Sequence, residues 1–136
     1  AAGRVPRLHA VQTEGCAPLA RAWQRAQSLP DGLAGAGRHW AECMWPWDTE
    51  PSSLADGILD DETYDGLGVL AAMEAGCGAP VVVPEPLVRE AAELGPRLTG
   101  IDASPTGTAG LAGLLAIRGQ VSDDERVVVV FSGVRR

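Results

Sequence analysis

Apolar residues along this chain fall into short runs and helical stripes separated by glycine- and proline-rich breaks. Arg7 to Gln12 reads as a short strand. The segment Cys16 to Gln27 then places Leu19, Ala20, Trp23 and Ala26 at helical spacing, so the chain opens as a strand-loop-helix unit. Ser28-Leu29-Pro30-Asp31-Gly32 ends that helix. Gly32 to Ser53 passes through Gly35, Gly37, Pro46 and Pro51 without a sustained period, which predicts a long loop over 29–54 with room for one short helix. Trp40, Trp45 and Trp47, three of the four tryptophans, concentrate there beside His39. Such a cluster either pins a loop to its own core or covers an apolar surface offered to a partner.

Asp60-Asp61-Glu62 suits the positive end of a helix dipole, and Leu67, Val69, Leu70, Ala71 and Met73 follow, predicting a helix from Asp61 to Ala75. Gly76 and Gly78 close it. Pro80 to Val83 reads as a buried strand, and Pro84 and Pro86 lead into a helix with Val88, Ala91, Ala92 and Leu94 on its apolar face, closed by Gly95-Pro96. Gly100 to Pro105 is a connector, Thr106 to Ile117 a helix of small residues, and Val127 to Phe131 the strongest strand pattern in the chain. Strands apolar on both faces alternating with helices predict an α/β fold, a parallel sheet covered on two sides. The length suits one domain over residues 1–136.

Composition narrows the functions available. A net charge of -7 and a pI near 4.7 leave no basic stripe, so nucleic acid is not an expected partner. No apolar run approaches the roughly 20 residues of a membrane-spanning helix, so no membrane association is expected. All eleven basic residues are Arg. The chain therefore has no ε-amine to form a Schiff base with an aldehyde cofactor. Cys16, Cys43 and Cys77 are widely spaced and odd in number, and His9 and His39 lie far apart, so reduced thiols, a cytoplasmic location and no metal are expected. The start Ala1-Ala2-Gly3-Arg4-Val5-Pro6 lacks both the apolar core of a signal peptide and an initiator Met, as expected of a chain that begins in mid-protein.

Three segments exceed what a bare scaffold requires. In Ala55-Asp56-Gly57-Ile58, Gly57 permits positive φ or a close approach between polar loops; an ordinary turn before the acidic helix start is the alternative. In Ser104-Pro105-Thr106-Gly107-Thr108-Ala109-Gly110-Leu111-Ala112-Gly113, glycines recur every third residue along one side of a helix. Each costs the helix about 1 kcal/mol relative to Ala, so close packing against a strand, or a cofactor, is expected to offset them. The spacing is not that of a dinucleotide fingerprint. Finally, Val127-Val128-Val129-Val130-Phe131-Ser132-Gly133 sets a hydroxyl just past a strand, where open α/β sheets bind ligands and where a neutral hydroxyl can meet a ring nitrogen; a simple strand-ending turn fits the same pattern.

In order, these segments resemble the C-terminal portion of fold-type II pyridoxal-phosphate enzymes, and among them threonine synthase and its close relatives. Leu8-His9-Ala10-Val11-Gln12-Thr13-Glu14-Gly15-Cys16-Ala17-Pro18-Leu19 resembles the family's strand and helix start, and Ser53 to Ile58 its alanine-x-glycine-isoleucine loop. Pro80 to Leu94, Ser104 to Leu115 and Val127 to Gly133 resemble the strand-helix, small-residue helix and terminal hydroxyl turn that follow. The resemblance implies a three-layer, mostly parallel sheet with helices on both faces, part of the family's large domain. It also implies pyridoxal phosphate as cofactor, with Ser132, beside Gly133, at the pyridine nitrogen, and Ala55, Asp56, Gly57, Ile58 and Ser104 lining the substrate side. Ser104 stands where many members carry Glu.

The family's Schiff-base lysine and glycine-rich phosphate loop lie upstream of the strand at Leu8 and are absent here, as is the small substrate domain. The resemblance therefore implies a partner in the missing N-terminal part of the same enzyme, a small amino-acid substrate, a homodimer of the full protein and no activity in this chain alone. Three alternatives remain open: a threonine or serine dehydratase on the same scaffold, a non-catalytic ligand-binding or interaction domain, and, more distantly, a hydrolase, for which no Gly-x-Ser-x-Gly elbow is present.

Overall fold

A computed structural model of the chain describes residues 5–134; the sequence reading of Ala1 to Arg4 lies outside them. Two short strands, β1 (Val11–Thr13) and β2 (Val81–Val83), pair in parallel with Val11 opposite Val81 and Thr13 opposite Val83. The ladder is prolonged by single bonds from Val81 N–H to the Ala10 carbonyl and from Glu14 N–H to the Val83 carbonyl. Parallel strands need a crossover, and this one runs through α1 (Pro18–Gln27), a 3-10 segment over Gly32–His39, α2 (Trp40–Cys43) and α3 (Gly66–Ala75). After β2 come α4 (Glu85–Thr99) and α5 (Ala109–Ile117).

Helices cover both faces of this small sheet. Val11, Val81 and Val83 project into a cluster with Val88 and Ala91 of α4 and Ala112 of α5. Next to Val11 along β1, Gln12 points the other way, and its Oε1 accepts the Ala20 N–H of α1 at 3.0 Å. On that side Leu19, Ala22 and Ala26 of α1 form a second core with Cys43, Leu70 and Met73. The α/β class and the parallel pairing are as expected, with a sheet of two strands among the described residues.

Several boundaries differ from the sequence reading. The strand expected over Arg7 to Gln12 starts at Val11, because β2, with which it pairs, is three residues long. The region read as a loop over 29–54 contains helical turns from Gly32 to Cys43, held down where Trp40 packs on the α1-α3 core. The helix expected from Asp61 begins at Gly66, leaving the acidic triplet outside its first turn. Gly66 is the residue that fits beneath the Trp40 ring, where a Cβ would lie 2.6 Å from it. The glycine helix likewise begins at Ala109 rather than Thr106, its first residues being spent in a turn.

Gly95-Pro96 does not close α4, which runs on to Thr99 and stops at Gly100 in the left-handed region, φ 73°. Gly95 is buried against Thr108 and Phe131, the Thr99 hydroxyl donates to the Gly95 carbonyl at 2.7 Å, and Gly100 N–H closes on the Pro96 carbonyl at 2.9 Å. Tertiary packing thus offsets the local cost of an internal proline. Val127 to Phe131, expected as a strand buried between two helical layers, pairs with no strand among the described residues. One side of it lies on the helices, with Val129 against Gly110 and Phe131 against Gly95; on the other, Val128 is 88% exposed and Val130 71%. A valine run becomes a ladder only where another backbone offers its N–H and C=O groups.

Candidate functional site

Past the carboxyl ends of β1 and β2, loops and turns are tied together in series. Glu85, the first residue of α4, accepts the Ser53 hydroxyl and the Leu54 N–H on its two carboxylate oxygens, each at 2.8 Å. Ser53 Oγ in turn accepts the Ala55 N–H at 3.1 Å, and Ala55 is fully buried. Next, the Thr106 hydroxyl accepts the Gly57 N–H at 3.0 Å and donates to Asp56 Oδ1 at 3.3 Å. Ser104, two residues before it, donates its backbone N–H to the Gly133 carbonyl at 2.9 Å, and its hydroxyl accepts the Gly107 N–H at 3.0 Å. Ser132 N–H returns to the Gly107 carbonyl at 3.4 Å.

The segments singled out in the sequence are therefore neighbours. Asp56–Ile58 forms a 3-10 turn with Asp56 and Gly57 exposed and Ile58 half-buried against the α4-α5 core. Gly57 does not take positive φ; its role is close approach, since a Cβ there would lie 2.9 Å from Thr106 Cγ2. Gly107, Gly110 and Gly113 each meet another segment: a Cβ on Gly107 would overlap the Gly133 carbonyl, one on Gly110 would press on Val129 and Val130, and one on Gly113 would overlap Val11. Packing thus accounts for all three glycines. Ser132 is exposed, and its hydroxyl has no hydrogen-bond partner among the described residues. Ser104 is half-buried, its hydroxyl engaged with backbone.

Three participants were not assigned a role from sequence. Glu85 and Ser53 hold the loop from one side and Thr106 from the other. A carboxylate opening a helix beside a serine-rich loop, and a Thr in the middle of a Ser-Pro-Thr-Gly turn, are the signals that were available. A cleft of about 530 Å³ opens between Glu14, Ser53, Glu85 and Arg89. An apolar depression of about 300 Å³, lined by Leu8, Ala10, Val69 and Met73, lies at the amino end of β1, away from these turns.

Neither buried thiol has the character of a nucleophile. Burial pushes the Cys16 thiol up, helped by the Asp61 and Asp60 carboxylates, and its Sγ donates to the Asp60 carbonyl at 3.3 Å. Burial likewise raises Cys43, with Glu42 adding to it. A protonated thiol is neither a good nucleophile nor a metal ligand. Among the described residues no group of three or more His, Cys, Asp or Glu side chains comes together to hold a metal, and no helix is long and apolar enough to cross a membrane. Trp45 and Trp47 stack on the Arg21 guanidinium, with centroid distances of 3.8 and 5.0 Å, while Arg21 pairs with Asp48 at 2.8 Å. These two tryptophans are anchored within the chain.

The sequence profile of a family described as pyridoxal-phosphate dependent enzyme matches residues 1–133. The chain belongs to that family. Its fold matches a threonine deaminase of the organism abbreviated T.th., with a TM-score of 0.59 at 19% identity, over 84% of this chain and 35% of that enzyme. At that identity the likeness speaks for the fold, a partial fold-type II domain, and this chain spans about a third of the length of the solved relative. No curated protein sequence matches it. Members of the family use pyridoxal phosphate.

Proposed function

We propose that this chain forms the carboxyl-terminal part of a pyridoxal-phosphate-dependent lyase that acts, as threonine synthase does, on a small hydroxy-amino acid or its phosphate ester by elimination and replacement of the γ-substituent. The observation that carries this reading is the exposed Ser132 hydroxyl, unpartnered among the described residues, on a turn tied through residues 104–107 to the Asp56–Ile58 loop. When bound, pyridoxal phosphate supplies the electron sink for cleaving bonds of the amino acid. The chain's own part is to meet the ring nitrogen with Ser132, beside Gly133, through a neutral hydroxyl that adds no charge. A neutral partner suits elimination and replacement better than transamination. Backbone from Ala55 to Ile58 lines the substrate side, steadied by Thr106 and Glu85.

With no lysine, the chain has no ε-amine to hold an aldehyde. We expect it to be inactive alone and to require a segment bearing the lysine and the phosphate loop, the N-terminal part of the same enzyme. The complete protein is expected to work as a homodimer in the cytoplasm.

A second reading, a threonine or serine dehydratase, is supported to the same degree by the likeness to a threonine deaminase. The complete enzyme, offered a γ-phosphate ester of a hydroxy-amino acid, should release inorganic phosphate and form a β-hydroxy-amino acid. Conversion of threonine or serine to a 2-oxo acid and ammonia instead would favour the dehydratase. Activity on neither would leave a non-catalytic ligand-binding or interaction domain as the better account.

A further inference from the structure

We infer that the Ser104–Gly107 turn is a two-armed positioning element: Ser104 sets the Ser132-Gly133 turn on one side, and Thr106 sets the Asp56–Ile58 loop on the other. The inference rests on the reading of Ser132 as the cofactor-nitrogen partner and of Ala55 to Ile58 as the substrate side.

On the Ser104 arm, backbone N–H and hydroxyl both donate to the Gly133 carbonyl, at 2.9 and 3.5 Å, while the same hydroxyl accepts the Gly107 N–H at 3.0 Å. Ser132 N–H closes the ring on the Gly107 carbonyl, and Ala103 bridges to Val134 just beyond. Ser132 is thus held through its own N–H and through Gly133, which leaves its hydroxyl available to a ligand. The spacing is close as well: a Cβ on Gly133 would lie 2.9 Å from Ser104 Oγ, and one on Gly107 would overlap the Gly133 carbonyl. Ser104 has its hydroxyl committed to backbone, so we assign it to positioning rather than to substrate contact.

On the Thr106 arm, one hydroxyl does two jobs, accepting the Gly57 N–H and donating to Asp56 Oδ1. Only Pro105, with its fixed φ, separates the two arms. A shift of this short, stiff turn would carry the cofactor-side hydroxyl and the substrate-side loop together. Removing one arm's hydroxyl should disturb its own side and spare the other.

The test uses the complete holoenzyme loaded with cofactor labelled with 15N in the pyridine ring. Ser104→Ala should move the ring-nitrogen resonance toward its position in Ser132→Ala and weaken cofactor binding roughly five- to tenfold, the scale of one lost hydrogen bond, with Ser104→Thr restoring both. Thr106→Val should leave that resonance in place and raise KM for the amino acid by a similar factor with little change in kcat, with Thr106→Ser restoring it. If Ser132→Ala moves the resonance and Ser104→Ala does not, the positioning role is overturned. If Ser132→Ala itself leaves the resonance unmoved, the reading of Ser132 fails, and the inference with it. In the same holoenzyme, Ser104→Ala should speed amide exchange at Gly107 and Ser132 but not at Gly57, and Thr106→Val the reverse. Equal acceleration of all three amides in both variants would mean general loosening and would also overturn the two-armed turn.

Discussion

Glu85 and Leu54 are joined by a 2.8 Å hydrogen bond in which a carboxylate at the start of α4 accepts a loop N–H, while its second oxygen accepts the Ser53 hydroxyl. The carboxylate also sits at the positive end of the helix dipole, so one side chain fastens the 53–58 loop just past β2 and complements α4. Glu85→Ala is expected to lower the unfolding free energy by about 1–2 kcal/mol, seen as a lower urea midpoint at unchanged slope. Glu85→Gln, which keeps one acceptor oxygen, should lose less.

Glycine substitutions should divide by what stands opposite them. Gly68 in α3 has open space where a Cβ would go, so Gly68→Ala should stabilise by about 0.5–1 kcal/mol through helix propensity. Gly107 faces the Gly133 carbonyl, so Gly107→Ala should destabilise by about 1–3 kcal/mol. Thermal unfolding of the pair checks both signs.

Gln12 bonds across from β1 to the Ala20 N–H in the first turn of α1, and both residues are buried. Gln12→Ala would leave that N–H without a partner and should cost about 1–3 kcal/mol, more than an exposed Gln→Ala change such as Gln24→Ala in the same helix. Paired denaturation curves decide it.

Because Cys16 and Cys43 have raised pKa values in the folded chain, the unfolded chain releases their protons first as pH rises. Their stabilising effect is complete below the ordinary thiol pKa of about 8.5 and is lost as pH climbs from there toward the folded values. Stability should fall on going from pH 8 to pH 10, and the fall should be smaller in Cys16→Ala/Cys43→Ala. Under native conditions a thiol reagent should modify the exposed Cys77 well before the two buried cysteines.

Pyridoxal phosphate followed by borohydride, which traps only imines, should give the isolated chain no adduct beyond its α-amino group. Mass spectrometry reads this directly. An adduct at any internal residue would contradict the dependence on a lysine from elsewhere.

What the sequence determined by itself was local or compositional. The periodicity of Leu19, Ala20, Trp23 and Ala26 marks α1, that of Val88, Ala91, Ala92 and Leu94 marks α4, and the valine triplet at 81–83 marks β2, because apolar spacing records which face each element buries. The absence of lysine, and the ordered segments that align with the pyridoxal-phosphate family, were equally open to reading. Tertiary structure decided the rest. Val127 to Phe131 has the composition of a strand but no strand to pair with among the described residues, and Gly95-Pro96 has the mark of a helix end, yet Gly95 is buried against Thr108 and Phe131 and α4 runs on to Thr99. Sequence patterns weigh each residue against its own neighbours along the chain. The bonds from Thr106 to Gly57 and from Ser104 to Gly133 join residues 49 and 29 positions apart, and only the folded chain brings such partners within reach.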